Sequence, residues 1–123
     1  MKVCIETNCS DIVRKPYKKK NGNIQRYNRC NTCITNRERY GMSTPERDEM
    51  LIQQQSKCIT CQTEIVFGGP QMKDNSANVD HCHKTGKVRG ILCNPCNTSL
   101  GKVREDINTL TKMIWYLEEH RED

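Results

Sequence analysis

Residues 79–90 read VDHCHKTGKVRG and set Asp80, His81, Cys82 and His83 in a row. All four are residue types that bind metals. Eight further cysteines come in pairs: Cys4-x4-Cys9, Cys30-x2-Cys33, Cys58-x2-Cys61 and Cys93-x2-Cys96. A two-residue gap lets the second sulfur fold back onto the ion held by the first. Cys58, Cys61, Cys93 and Cys96 therefore have the spacing of a tetrahedral four-thiolate zinc site. Cys4, Cys9, Cys30 and Cys33 make a second set, with a looser first pair. One such site contributes roughly 10–16 kcal/mol of apparent binding energy. That matches the whole stability of an ordinary domain, about 5–15 kcal/mol. Disulfides or free thiols are the competing reading of both sets.

Cys82 is then left over. In an extended run His81 and His83 point to one face and Cys82 to the other. Cys82 is expected to pack as a small hydrophobe behind the histidines, not to join a third zinc. Asp80, His81 and Asn97 are expected to converge. A carboxylate and an amide oxygen suit Mg2+ or another divalent cation that keeps several waters. A neutral histidine beside them can take a proton from water. Cation, base and basic groove are the parts needed for phosphodiester hydrolysis. Taken singly, each has a plainer reading: Asp80 as a turn cap, His81 as a packed ring, Asn97 as a surface amide.

Several elements must position these groups. Asn21-Gly22 reads as the tip of a hairpin in a basic segment. A helix is expected from the Cys30 pair to about Tyr40, stopped by Gly41. Ser43 or Thr44 caps the next helix, with Pro45 at its first position, and it ends near Ser56. GGP and DNSAN, between Cys61 and Val79, read as loop. NVDHCH and KVRGILC form a hairpin around Lys84-Thr85-Gly86. Asn94 is expected to cap a helix with Pro95 at N1 and Asn97 in its first turn. A last helix covers roughly 105–119, with Ile107, Leu110, Ile114 and Leu117 on one face and Trp115 off that line.

The composition fits a metal-stapled fold. Only 34% of the 123 residues are apolar, and that share includes nine cysteines. A chain with one Phe and one Trp has little with which to build a large core. No apolar leader follows Met1, and no stretch approaches the roughly 20 apolar residues of a membrane span. A reducing, cytoplasmic setting is the expectation, and there metal outranks disulfide. Charge is uneven. Residues 1–40 hold ten Lys or Arg against three acids, net +7; the remainder holds ten against twelve, net −2. A basic N-terminal third suits nucleic acid, although a solvated basic face has the same composition.

The stretch VDHCHKTGKVRGILCNPCNTSLG, residues 79–101, resembles the signature of the recombination endonuclease VII family, phage-type nucleases of the HNH or ββα-metal group. Cys58-x2-Cys61, the YG…STPE segment and the YLEE ending extend the resemblance over about 40–119. It implies an α+β fold: a small zinc-stapled ββα-metal core with flanking helices, behind an N-terminal zinc-ribbon-like module. It implies structural zinc on Cys58, Cys61, Cys93 and Cys96, and a catalytic cation on Asp80 and Asn97. His81 is the implied general base, and His83 sits by the scissile phosphate. Hydrolysis would leave a 5′ phosphate. Lys18, Lys19, Lys20 and Arg26 are expected to grip the DNA backbone. Arg89 is either a further phosphate contact or a surface charge of the hairpin.

The expected organisation is a basic module over 1–40, a linking helix over 41–57, a nuclease core over 58–104 and a C-terminal helix over 105–123. The partner is DNA, with no membrane. About 20 residues follow the core where the family's namesake has a helical dimerisation region, and a homodimer through the last helix is the candidate assembly. The expected activity is hydrolysis of DNA phosphodiester bonds, with branched DNA, including four-way (Holliday) junctions, as one candidate substrate. The alternatives are a nicking or homing-type enzyme on duplex DNA, and a non-catalytic zinc-dependent nucleic-acid-binding protein. In a phage the setting is the host cytoplasm.

Overall fold

The computed structural model describes residues 2–6, 9–68 and 74–122. The chain divides into two compact units, Met1–Ser56 with Val79–Ile91 and Lys57–Asn78 with Leu92–Asp123. Among the described residues eleven apolar side chains are buried, and five of them are cysteines: Cys4, Cys30, Cys33, Cys58 and Cys93. Thiols thus make up nearly half of the core.

In the first unit, an antiparallel bridge joins Val3 to Ile12. The Cys4 N–H donates to the Asp11 carbonyl at 2.9 Å. Strands β1 (Tyr17–Lys18) and β2 (Ile24–Gln25) pair antiparallel, Tyr17 against Gln25 and Lys18 against Ile24. The tip falls at Asn21-Gly22 as expected. Gly22 takes φ +89° and the Lys19 N–H donates to the Asn23 carbonyl at 2.8 Å. Helix α1 (Asn31–Tyr40) has Cys30 as its N-cap, whose sulfur accepts the Cys33 N–H. It ends at Gly41, which adopts φ +63°, a conformation favoured by the lack of a Cβ. Helix α2 (Thr44–Gln53) opens with Ser43 and Glu46 in a reciprocal capping box. Pro45 is its second residue, and it stops at Gln53 rather than Ser56. Gln55 and Ser56 follow in left-handed turn conformations.

Two side-chain devices tie this unit together. Glu6 accepts from Arg29 at 2.7 Å and from Arg37 at 2.7 and 2.9 Å. The Arg37 and Arg29 guanidinium groups hold its carboxyl down to about 2. Gln54, just past α2, mimics a strand against Ile91. Its Nε2 donates to the Ile91 carbonyl at 2.8 Å, and its Oε1 accepts the Ile91 N–H at 2.9 Å. Ile91 is fully buried. Gln54→Ala removes both bonds, and a loss of about 1–3 kcal/mol follows from leaving those buried groups unpaired. The urea midpoint, at unchanged slope, measures it.

In the second unit, Lys57 bridges Glu64, and the Cys58 N–H donates to the Thr63 carbonyl at 2.8 Å. Gln62, at φ +67°, completes a tight knuckle around Cys58 and Cys61. The loop expected over DNSAN is shorter than that. Asp74–Asn75 turn, Ser76 bridges Val66, and β3 has already begun at Ala77. Gly69 and Pro70 of GGP lie outside the described residues.

Strands β3 (Ala77–His81) and β4 (Val88–Cys93) form the second hairpin. The Cys82 N–H donates to the Lys87 carbonyl at 2.8 Å and the Gly86 N–H returns to the Cys82 carbonyl at 2.7 Å. Helix α3 (Asn94–Lys102) follows directly, completing a ββα unit. Its N-cap is Cys93, not Asn94, and Pro95 is its second residue. The Cys93 sulfur accepts the Cys96 N–H at 3.4 Å, the bond an Asn side chain would otherwise make. Helix α4 (Ile107–Glu119) is capped by Asp106, after Arg104 and Glu105 turn at φ +56° and +55°. Its apolar row is not covered: Ile107, Ile114 and Leu117 are 77%, 58% and 68% exposed, and Trp115 is 62% exposed.

Candidate metal centres and active-site strand

A four-thiolate zinc site with Zn–S of about 2.3 Å has sulfurs about 3.8 Å apart. Cys9 lies 3.8 Å from both Cys30 and Cys33, and Cys61 lies 3.6 Å from Cys93. All four sulfurs of each expected set fall within 4.8 Å of one another. These spacings match a metal tetrahedron and are far from the roughly 2.05 Å of a disulfide. None of the nine cysteines is paired in a disulfide. Arrangement and ligand type fit two structural zinc sites, and the sulfur spacings do not fit disulfides.

Each cluster has hydroxyl and amide support around its sulfurs. Thr44 Oγ1 lies 3.0 Å from the Cys33 sulfur and accepts from Asn36 Nδ2 at 2.9 Å. Asn36 is itself buried. Thr60 Oγ1 lies 3.2 Å from Cys58 Sγ, and Thr63 Oγ1 the same distance from Cys61 Sγ. Burial pushes the Cys58 thiol up, but the Cys61 N–H and the Thr60 hydroxyl outweigh it and bring it down to about 5. Burial carries Cys93 up to about 12. Cys61, like Cys58, is lowered, by the Thr63 hydroxyl, and a cation favours ionisation of the remaining thiols.

The row on β3 joins neither cluster, and among the described residues no third group of three converging ligands exists. Asp80 is 8% exposed. Both of its carboxylate oxygens are engaged by Arg89, from Nε at 2.7 Å and Nη2 at 3.0 Å. Arg89 is therefore more than a hairpin surface charge: it is the counter-ion of Asp80 across the hairpin. His81 is half-buried at the strand's end. Its ring centroid lies 5.1 Å from that of His83 and 5.6 Å from that of Tyr40. The two histidines thus meet ring to ring, although His83 lies in the turn beyond the strand and not in the alternation of β3. Cys82 departs from the expectation. The strand stops at His81, so Cys82 lies in the turn, half-buried rather than packed in a core. The Thr85 hydroxyl lowers its thiol.

Asn97 occupies the first turn of α3, next to the zinc-cluster residue Cys96. Lys18, Lys19, Lys20 and Arg26 are exposed on and around the β1–β2 hairpin. Tyr40 was not anticipated as a neighbour of His81. Its only sequence signal is an aromatic placed just before the helix-stopping Gly41, in a chain with six aromatics.

A thiol-stapled hairpin-and-helix, with an acid and a histidine on its first strand and a second histidine in the turn beyond, fits the ββα-metal class. Within that class the chain belongs to the recombination endonuclease VII family, whose model matches residues 34–119. It is 37% identical over 79 residues to the gene 59 protein of Mycobacterium phage L5, and 38% identical over 79 residues to the gene 59 protein of Mycobacterium phage D29. Each match covers 63% of this chain and 44% of the relative, so the chain spans under half the length of these curated relatives. The ββα-Me type II restriction endonuclease Hpy99I is a structural match with TM-score 0.46 and 26% identity, covering 85% of this chain and 56% of that one.

Proposed function

We propose that this protein is a divalent-cation-dependent DNA endonuclease acting by a one-metal HNH mechanism. The observation that carries the reading is the β3 strand: a buried, arginine-clamped carboxylate followed at once by a histidine with a second histidine against it. In this reading His81 takes the proton from a water as that water attacks phosphorus in line. Tyr40 and His83 hold the imidazole in place, and His83 also faces the scissile phosphate. Asp80 and Asn97, oxygen donors suited to Mg2+, are the protein ligands of the cation. When bound, the cation supplies charge to stabilise the pentavalent transition state and the departing 3′ oxygen. The product keeps its 5′ phosphate.

The basic module over 1–40 grips the backbone through Lys18, Lys19, Lys20 and Arg26, ahead of the linking helix over 41–57 and the nuclease core over 58–104. The exposed apolar row of α4, within 105–123, favours a homodimer, and paired active sites favour branched DNA as substrate. Among the described residues no helix is long and apolar enough to cross a membrane. The test offers the purified protein, with Mg2+, linear duplex, supercoiled plasmid and a four-way junction side by side. Symmetric junction cuts are expected. Nicks spread evenly over all three would replace the branched reading with the nicking one, and inactivity with Mg2+ and Mn2+ would overturn the enzyme.

The Arg89–Asp80 pair gives a second check that does not depend on cleavage. A cation on Asp80 must share or displace the guanidinium. Arg89→Ala leaves the carboxylate without its charged donor, at a cost of roughly 1.5–3 kcal/mol. Added Mn2+ is then expected to raise the melting temperature of Arg89→Ala more than that of the wild type, and to do nothing for Asp80→Asn. Equal shifts in all three would remove Asp80 from the cation's ligands.

A further inference from the structure

The β1–β2 hairpin carries more than charge. Between Asp11 and Glu38 the chain has eight basic residues and no acid: Arg14, Lys15, Lys18, Lys19, Lys20, Arg26, Arg29 and Arg37. Arg29 and Arg37 are committed to Glu6, while Lys15, Lys18, Lys19, Lys20 and Arg26 face solvent. Among them stands Tyr17, 54% exposed. Its ring lies 6.5 Å from that of Tyr27, with the planes only 21° apart. The Arg14 guanidinium carbon lies 5.2 Å from the Tyr27 ring centroid. Arg14 is fixed in turn by its Nε hydrogen bond to Asn31 and by its N–H on the Arg29 carbonyl at 2.9 Å. The result is a ladder, Arg14–Tyr27–Tyr17, anchored on the zinc module at one end and open at the other.

We propose that Tyr17 is a stacking platform for an unpaired nucleobase, so that the hairpin binds single-stranded DNA at an end, a flap or a branch. The inference rests on the DNA-binding reading of this module and sharpens its substrate. Lysines alone serve duplex and single strand alike, because both present phosphates. A flat exposed ring has a partner only where a base face is uncovered, since within a duplex each face is taken by the next base pair. Base-on-aromatic stacking tolerates any sequence. The Tyr27 ring on one side of it restricts the Tyr17 ring in advance, so less rotamer freedom is lost on binding.

The experiment uses the full chain with His81→Ala to prevent cleavage. Fluorescence anisotropy follows a labelled 15-nucleotide oligothymidylate and a duplex of the same length, at one fixed salt concentration. Tyr17→Ala is expected to weaken single-strand binding about 5- to 150-fold, the equivalent of ~1–3 kcal/mol per stacked base, and to leave duplex binding within about twofold, because its phosphate contacts remain. Tyr17→Phe keeps the ring and is expected to bind like the parent. A 2-aminopurine in the single strand is expected to be quenched by the parent and by Tyr17→Phe, but not by Tyr17→Ala. Unchanged single-strand affinity in Tyr17→Ala, or equal losses on both DNAs, overturns the platform. Neutralising Lys18, Lys19 and Lys20 together tests the underlying reading. If that weakens both DNAs while Tyr17→Ala changes neither, only the platform falls; if neither variant matters, the module reading falls with it.

Discussion

His81→Ala is expected to slow plasmid nicking about 10²- to 10⁴-fold, the usual worth of a positioned general base, while zinc content, secondary structure and DNA affinity stay at wild-type values. The expectation of an intact fold follows from where His81 sits. It is half-buried at the turn end of β3 and meets Tyr40 and His83 ring to ring. Removing the imidazole opens a gap at the surface, not a hole in the core. Asp80, one residue earlier, keeps its Arg89 clamp. Nicking at the wild-type rate by a folded His81→Ala protein would sink the proposed mechanism and direct attention to His83.

Loss of zinc is expected to be the larger structural event. Cys58 is fully buried, its N–H closes the knuckle on Thr63, and its carbonyl accepts from Gln62. In Cys58→Ser the cluster of Lys57–Asn78 with Leu92–Asp123 loses a thiolate. Structural zinc is worth roughly 10–16 kcal/mol, more than the few aliphatic side chains buried around it can replace. The expected result is a chain holding one zinc instead of two by atomic emission, with α3 melted. Cys33→Ser should do the same to the other cluster, whose ladder of Asn36, Thr44 and Cys33 then has no metal to support. Circular dichroism of each variant, with and without a thiol-compatible chelator, reads the effect. A variant that keeps full helix content without its zinc would show that packing alone holds that unit.

Much of this was legible in the chain. The two cysteine sets could be read because metal geometry imposes a short, regular spacing and cysteines have few other reasons to come in such pairs. Helix ends at Gly41 and Ser43 were legible because capping is local chemistry. The α3 cap was misassigned for an instructive reason. Propensity ranks Asn over Cys, but Cys93 stands three residues before Cys96, the N-cap spacing, and its clustered sulfur accepts the helix N–H itself. The fate of Cys82 depended on where β3 ends, and one residue decides between a strand face and a turn. Arg89 on Asp80, Gln54 on Ile91 and Tyr40 on His81 join residues distant in sequence or across a hairpin, and no local pattern announces them. The row on α4 was visible as a periodicity, which says which residues share a face but nothing about what covers it.

The β3–β4 hairpin is shared between the two compact units. The chain passes between the two compact units at 56/57, 78/79 and 91/92, and two of those crossings fall inside β3 and β4. Neither unit is a continuous piece of chain, so no single cut releases one of them whole. A fragment starting at residue 57 would carry Asp80 and His81 but not Tyr40 or Gln54, the residues that brace their hairpin from α1 and the end of α2. The smallest trustworthy version of this protein is therefore set by its bracing, and truncation should be judged by the order retained in β3 and β4 before any assay of cleavage.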